Sequence, residues 1–102
     1  MKFMITAYDG TDGDALSRRM NTRPRHLENL AKEMEKGHVI CAGGILNDAG
    51  KPAGSLLIMD YDSREELDEY LANEPYVLEN VWQDIKAEPF NVVILNNEKV
   101  GK

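Results

Sequence analysis

Cysteine is all but missing from this chain of 102 residues, and the single Cys41 has no partner for an internal disulfide. It stands in the apolar stretch Val39-Ile40-Cys41-Ala42, which predicts a buried small hydrophobe rather than a reactive thiol. Histidine is nearly as scarce. His26 and His38 lie too far apart to make a zinc spacing with anything nearby, so no metal site is expected. No glycine loop of the phosphate-binding kind follows a strand, because Gly43-Gly44 and Gly50 lack both the helix and the lysine. No apolar run approaches the ~20 residues of a membrane span. The N-terminus alternates like a strand, where a targeting segment would place a basic region and an apolar core. These absences predict a cytoplasmic protein with no membrane and no cofactor among its partners. Basic residues are also the minority, 12 against 18 acidic, and a net charge of −6 argues against nucleic acid.

What is present suits one globular domain over residues 1–102, with 42% hydrophobic residues and no linker, repeat or low-complexity segment. Lys2 to Tyr8 alternates, with Phe3, Ile5 and Ala7 on one face, and reads as a strand closed by Asp9-Gly10-Thr11-Asp12-Gly13. A short helical piece over Asp14 to Met20 precedes Pro24, which marks a kink or a fresh helix start. Leu27, Leu30, Ala31 and Met34 then recur at helical spacing, and Gly37 ends the helix. His38 to Leu46 and Ser55 to Tyr61 form a hairpin around Asn47 to Pro52. Ser63-Arg64-Glu65-Glu66 is a capping box, and Leu67, Tyr70 and Leu71 give the next helix its apolar stripe. Trp82 to Ala87 and Asn91 to Leu95 read as a last strand interrupted near Pro89. The order β-α-β-β-α-β is the α+β ferredoxin-like arrangement. Both faces of Leu56-Leu57-Ile58-Met59 and Val92-Val93-Ile94-Leu95 are apolar although helices cover only one. That predicts a homodimer packed sheet against sheet, with a pocket between sheet and helices in each subunit.

Two segments carry chemistry. Arg23-Pro24-Arg25-His26-Leu27 places an imidazole, which exchanges protons near neutral pH, in the first turn of a helix beside Arg18, Arg19, Arg23 and Arg25. The arginines are either a solvated helix face or a positive rim that draws in a small anionic substrate. His26 itself is either a histidine that packs at the helix start or a catalytic base. Asn73-Glu74-Pro75-Tyr76 supplies a carboxylate at a turn forced by proline. Base and orienting acid is a common catalytic pairing. Ser55, at the start of its strand, is either a turn element or a hydroxyl that donates into the pocket.

Taken in order, Arg19, Arg23-Pro24-x-His26-Leu27 with Leu30, Gly37, Ala42-Gly43, Asp48-x-Gly50-x-Pro52-x-Gly54-Ser55-Leu56, Pro75-Tyr76 and Pro89-Phe90 resemble the YciI-like (YCII-related) family. The resemblance implies a ferredoxin-like fold of the dimeric α+β barrel type and homodimers with one pocket per subunit. It also implies a His-Asp catalytic pair. The histidine corresponds to His26, and the aspartate's position before Pro-Tyr holds Glu74, which keeps the charge and adds a methylene of ~1.5 Å. The family's catalytic example resembles a dehydrochlorinase of a chlorinated hydroxyquinol, and related barrels include muconolactone isomerases and cofactor-independent monooxygenases. The reading that follows is a small cofactor-independent enzyme. His26 would be base or acid, Glu74 its orienting carboxylate, Arg19 and Arg23 the anion binders and Ser55 part of the pocket wall. Its proton abstraction would lead to elimination or isomerisation of a small, anionic or phenolic ring. The alternative is a non-catalytic dimeric ligand-binding or accessory domain, in which His26 packs and Glu74 is solvated.

Overall fold

A computed structural model describes all residues, Met1 to Lys102. The elements are β1 (Lys2–Asp9), α1 (Ala15–Glu35), β2 (Val39–Leu46), β3 (Pro52–Asp60), α2 (Arg64–Asn73), α3 (Pro75–Leu78), β4 (Trp82–Pro89), β5 (Ile94–Leu95) and β6 (Glu98–Lys99). The main sheet runs in the order β2-β3-β1-β4 with every pair antiparallel. That is the ferredoxin-like arrangement expected from the order of elements.

The alternation of β1 is realised as a buried row, with Phe3, Ile5 and Ala7 at 1% exposure or less. The same face carries Leu57 and Met59 of β3 and Trp82 of β4, and packs on Leu30, Leu67, Tyr70 and Tyr76 from the helices. Register fixes the other face. Thr6 pairs with Leu56 and Lys86, and Met4 with Ile58 and Glu88, so these side chains point away from the helices. Cys41 pairs with Ile58 and therefore lies on this uncovered face, where it is exposed. Its apolar neighbours in sequence conceal that β2 is an edge strand with no helix over that side.

Helix α1 departs most from its expected form. It runs unbroken through Pro24, so His26 sits near its middle and not in a first turn. Pro24 is exposed, and the carbonyl that its missing N–H leaves free can be hydrated. The buried stripe is Arg19, Thr22, His26, Leu30 and Glu33, whereas Leu27 and Met34, expected inside, are 43% and 64% exposed. At about 100° per residue, polar partners for Arg19 and His26 turn the helix away from its most apolar line. The end of α1 follows the expected chemistry. Gly37 takes φ +78°, the His38 N–H bonds the Glu33 carbonyl and the Gly37 N–H that of Met34, a Schellman cap.

The C-terminal segment also differs. β4 ends at Pro89, and Ile94–Leu95 pairs with Glu98–Lys99 in a separate hairpin rather than extending the main sheet. Asn96 and Asn97 both adopt positive φ, the geometry of a two-residue turn whose twist suits a hairpin.

Candidate active site

Pro75 determines where Glu74 points. The residue before a proline is driven out of helical geometry, and Glu74 takes φ −70°, ψ 122° between α2 and α3. Its side chain folds back over α3, where Oε1 accepts the Tyr76 N–H at 3.2 Å. The same oxygen lies 2.6 Å from Nδ1 of His26, on the inward stripe of α1, and Oε2 accepts the Tyr70 hydroxyl at 2.5 Å. Glu74 is wholly buried and His26 is 7% exposed. Burial pushes the Tyr70 hydroxyl far above its ordinary pKa, and the Glu74 charge pushes it further, so it stays a donor. A carboxylate already accepting from a hydroxyl and an amide is an acceptor towards Nδ1, which places the neutral ring's proton on Nδ1 and leaves a lone pair on Nε2. No buried side-chain nitrogen or oxygen lacks a partner, and Nε2, which has no protein partner, therefore reaches solvent.

The ring is clamped. It stacks on Tyr76 at 3.9 Å between centroids and 10° between planes, and meets Trp82 edge-on at 5.8 Å. Behind Tyr76, the Arg19 guanidinium lies 4.9 Å from the ring centroid and donates to both oxygens of Asp9 at 2.9 and 3.1 Å. Arg19 also donates to Ser55 Oγ at 2.8 Å, which accepts the Trp82 indole N–H at 3.1 Å. Arg19 is thus buried and charge-matched, and Ser55 is locked between two donors.

His26 opens onto a cavity of about 160 Å³ between α1 and the edge of β2 and β3. Arg19, Arg23, Ser55 and Tyr76 supply its polar lining and Leu27, Leu30 and Leu57 its apolar lining, with Ala42, Gly43 and Gly44 on the side of β2. Glu74 does not line it and stands behind the imidazole. Of the four clustered arginines, Arg18 pairs with Asp12, Arg19 with Asp9 and Arg25 with Glu79. Arg23 is exposed at the cavity with no carboxylate partner, the one unmatched cation there. His38 lies elsewhere, stacked on Tyr61 with Nδ1 at 2.7 Å from the Asp60 carbonyl. No three His, Cys, Asp or Glu side chains gather as metal ligands, and no helix is long and apolar enough to cross a membrane.

The structure therefore brings His26, Glu74, Arg19, Arg23 and Ser55 around one small region. Sequence reasoning misses Asp9, Tyr70 and Trp82. Asp9 is legible in principle: continuing the row Phe3, Ile5, Ala7 by two puts its carboxylate on the buried face, where an arginine must meet it. Tyr70, one helical turn before Glu74, is masked by the apolar stripe to which it belongs.

Comparison with known proteins relates the chain to others by sequence and by fold. The chain is 30% identical to protein YciI of Escherichia coli over 99 residues, 91% of this chain and 99% of that protein. It is 32% identical to aspercryptin biosynthesis cluster protein B of Emericella nidulans over 76 residues, 68% of this chain and 49% of that protein. Among solved structures, it resembles 5-chloro-2-hydroxyhydroquinone dehydrochlorinase from Burkholderia phenoliruptrix, in complex with 2,5-dihydroxybenzoquinone. The TM-score is 0.77 at 25% identity, covering 88% of this chain and 93% of that one. An antibiotic biosynthesis monooxygenase shares the fold, with a TM-score of 0.55 at 16% identity over 91% of this chain and 98% of that one. The model of the YCII-related domain matches residues 1–91, and the chain belongs to that family.

Proposed function

We propose that the protein is a small-molecule enzyme in which His26 is the general base, acting through Nε2, and Glu74 is the carboxylate that fixes its tautomer and offsets the charge of the imidazolium. The observation that carries the reading is the 2.6 Å contact between Nδ1 and Oε1 on a ring whose opposite nitrogen opens to a cavity. Nε2 takes a proton from an O–H or activated C–H of the substrate. For elimination the substrate reacts as its keto tautomer, whose halide-bearing ring carbon is saturated: the electron pair left behind forms the new double bond as the halide departs with its own pair. In an isomerisation the proton returns at another atom. Arg23 attracts the substrate's negative group at the cavity mouth. Arg19 and Ser55 hold the wall and orient ring oxygens from positions fixed by Asp9 and Trp82.

Size narrows the substrate. A cavity of about 160 Å³ is on the order of the ~150 Å³ that accommodates benzene, so one ring fills it. The resemblance to a dehydrochlorinase bound to a dihydroxybenzoquinone supports a hydroxylated ring as that substrate. The uncovered sheet face supports a homodimer as the working form.

The test is halide release from a chlorinated hydroxyquinol by the wild type and His26→Gln, a variant that can still donate to Glu74. Because a positioned base contributes about 10²–10⁴-fold, kcat is expected to fall by that much. Equal rates in the two proteins would remove His26 from the chemistry. Tight binding of the ring without turnover would support the ligand-binding alternative.

A further inference from the structure

Behind the His26–Glu74 pair stands a third group that the proposed chemistry does not require. Tyr70 lies on α2 with its ring in the core, and its hydroxyl donates to Oε2, the oxygen of Glu74 that His26 does not touch. Both other donors, Nδ1 of His26 and the Tyr76 N–H, meet Oε1. The contacts at Oε1 hold one edge of the carboxylate, and only a bond at Oε2 holds its plane from the other edge. A glutamate has one more torsion to fix than an aspartate. The tyrosine hydroxyl closes that freedom.

We propose that Tyr70 is a positioning residue: it fixes the plane of the Glu74 carboxylate and sets how strongly that carboxylate raises the proton affinity of His26. The inference rests on the reading of Glu74 as the partner that tunes the imidazole. A hydroxyl bonded to Oε2 draws part of the carboxylate's charge away from the imidazole. Removing it concentrates that charge on the His26 side and favours the imidazolium. Tyr70 also lines a second, polar cleft of about 370 Å³ between α1 and α2, so the bond links the back of the catalytic pair to a different surface of the molecule. Other charged groups near His26 are Arg19 and Arg23 of α1 and Asp9 of β1, with the titratable Tyr76 of α3. Glu33 and Tyr61, bonded to each other, lie on the side of Tyr70, and Glu66 and Glu69 line the same cleft. None of them bonds to the Tyr70 hydroxyl, so Tyr70→Phe removes no hydrogen bond of theirs.

The experiment is an NMR titration of the His26 ring in the wild type, Tyr70→Phe, Glu74→Gln and the double variant. Glu74→Gln is expected to lower the midpoint. Tyr70→Phe is expected to raise the proton affinity about threefold to tenfold, a part of what a hydrogen bond to a charged group contributes, because the carboxylate is charged in both states of the imidazole. Added to Glu74→Gln it is expected to do nothing, since it acts through the carboxylate. A Tyr70→Phe midpoint equal to or below the wild type, with Glu74→Gln still lowered, overturns the inference and leaves the pair standing. An unchanged Glu74→Gln midpoint overturns the pair itself, and the inference with it. Should Tyr70→Phe not fold, the wild type decides: a Tyr70 hydroxyl proton exchanging slowly with solvent supports the inference, and one exchanging at the solvent rate overturns it.

Discussion

At the scale of single residues, the structure separates cations that look alike in sequence. Arg19 is enclosed by Asp9, Ser55 and the face of Tyr76, while Arg23, four positions on, stands at the cavity with no carboxylate beside it. An exposed charge with no special contact changes stability by within about 0.5 kcal/mol when removed. Arg23→Ala is therefore expected to melt as the wild type does while binding a ring carboxylate or phenolate more weakly, as calorimetry would show. A drop in melting temperature with unaltered binding would make Arg23 structural. The residue types and neighbours of His26 and Glu74 make both legible in the sequence. Their contact is legible only through resemblance, because 48 positions separate them and the fold alone decides whether they meet. Tyr70 stays hidden because it continues an apolar stripe, whereas Asp9 adjoins a turn and is found only by extending the alternation of β1 by one more step; each plays a polar role from a position that helical spacing or alternation assigns to the interior.

At the scale of elements, what local chemistry dictates is readable and what neighbours dictate is not. The Schellman cap at Gly37, the extended Glu74 before Pro75 and the start of α2 all follow from one or two residues. At α2, Ser63 Oγ accepts the Glu66 N–H at 3.3 Å, and the Glu66 carboxylate reaches back to the Asp62 N–H at 2.9 Å. Losing such a cap costs about 1 kcal/mol, and Ser63→Ala is expected to melt ~4–8 °C lower while keeping its secondary structure. An unchanged melting curve would mean that water replaces the hydroxyl without loss. Helix α1 shows the opposite case. Periodicity marks Leu27 and Met34 for burial, yet partners supplied by β1, β3 and α3 outcompete their transfer free energy and bring Arg19 and His26 inward. The separate β5–β6 hairpin is a similar failure: Ile94–Leu95 pairs with Glu98–Lys99, since the main-sheet ladder runs out where β1 begins at Lys2, whose carbonyl accepts the Phe90 N–H.

At the scale of the whole molecule, the uncovered sheet face bears on assembly. Met4, Leu56 and Ile58 form an apolar centre there, bordered by Lys86 and Glu88, and no helix lies over them. Covering several hundred Å² at ~25 cal/mol per Å² offsets much of the cost of association. Light scattering during gel filtration is expected to give twice 11.5 kDa at micromolar concentration. A monomer mass would mean that the half-buried state of these side chains is tolerable in water. The buried polar stripe of α1 has a different consequence, for how this domain would respond to selection for heat resistance. Two buried polar pairs, the hydrogen-bonded His26–Glu74 and the Arg19–Asp9 ion pair, occupy ground that a purely structural helix would fill with leucines. Breaking a buried pair by removing one member costs about 3–5 kcal/mol, whereas replacing both with apolar residues of similar volume is often neutral or stabilising. A paired His26→Leu, Glu74→Met variant should melt above either single replacement. A library screened for thermal tolerance alone would then be drawn towards such inert cores, so the site persists in this fold only while something other than folding requires it.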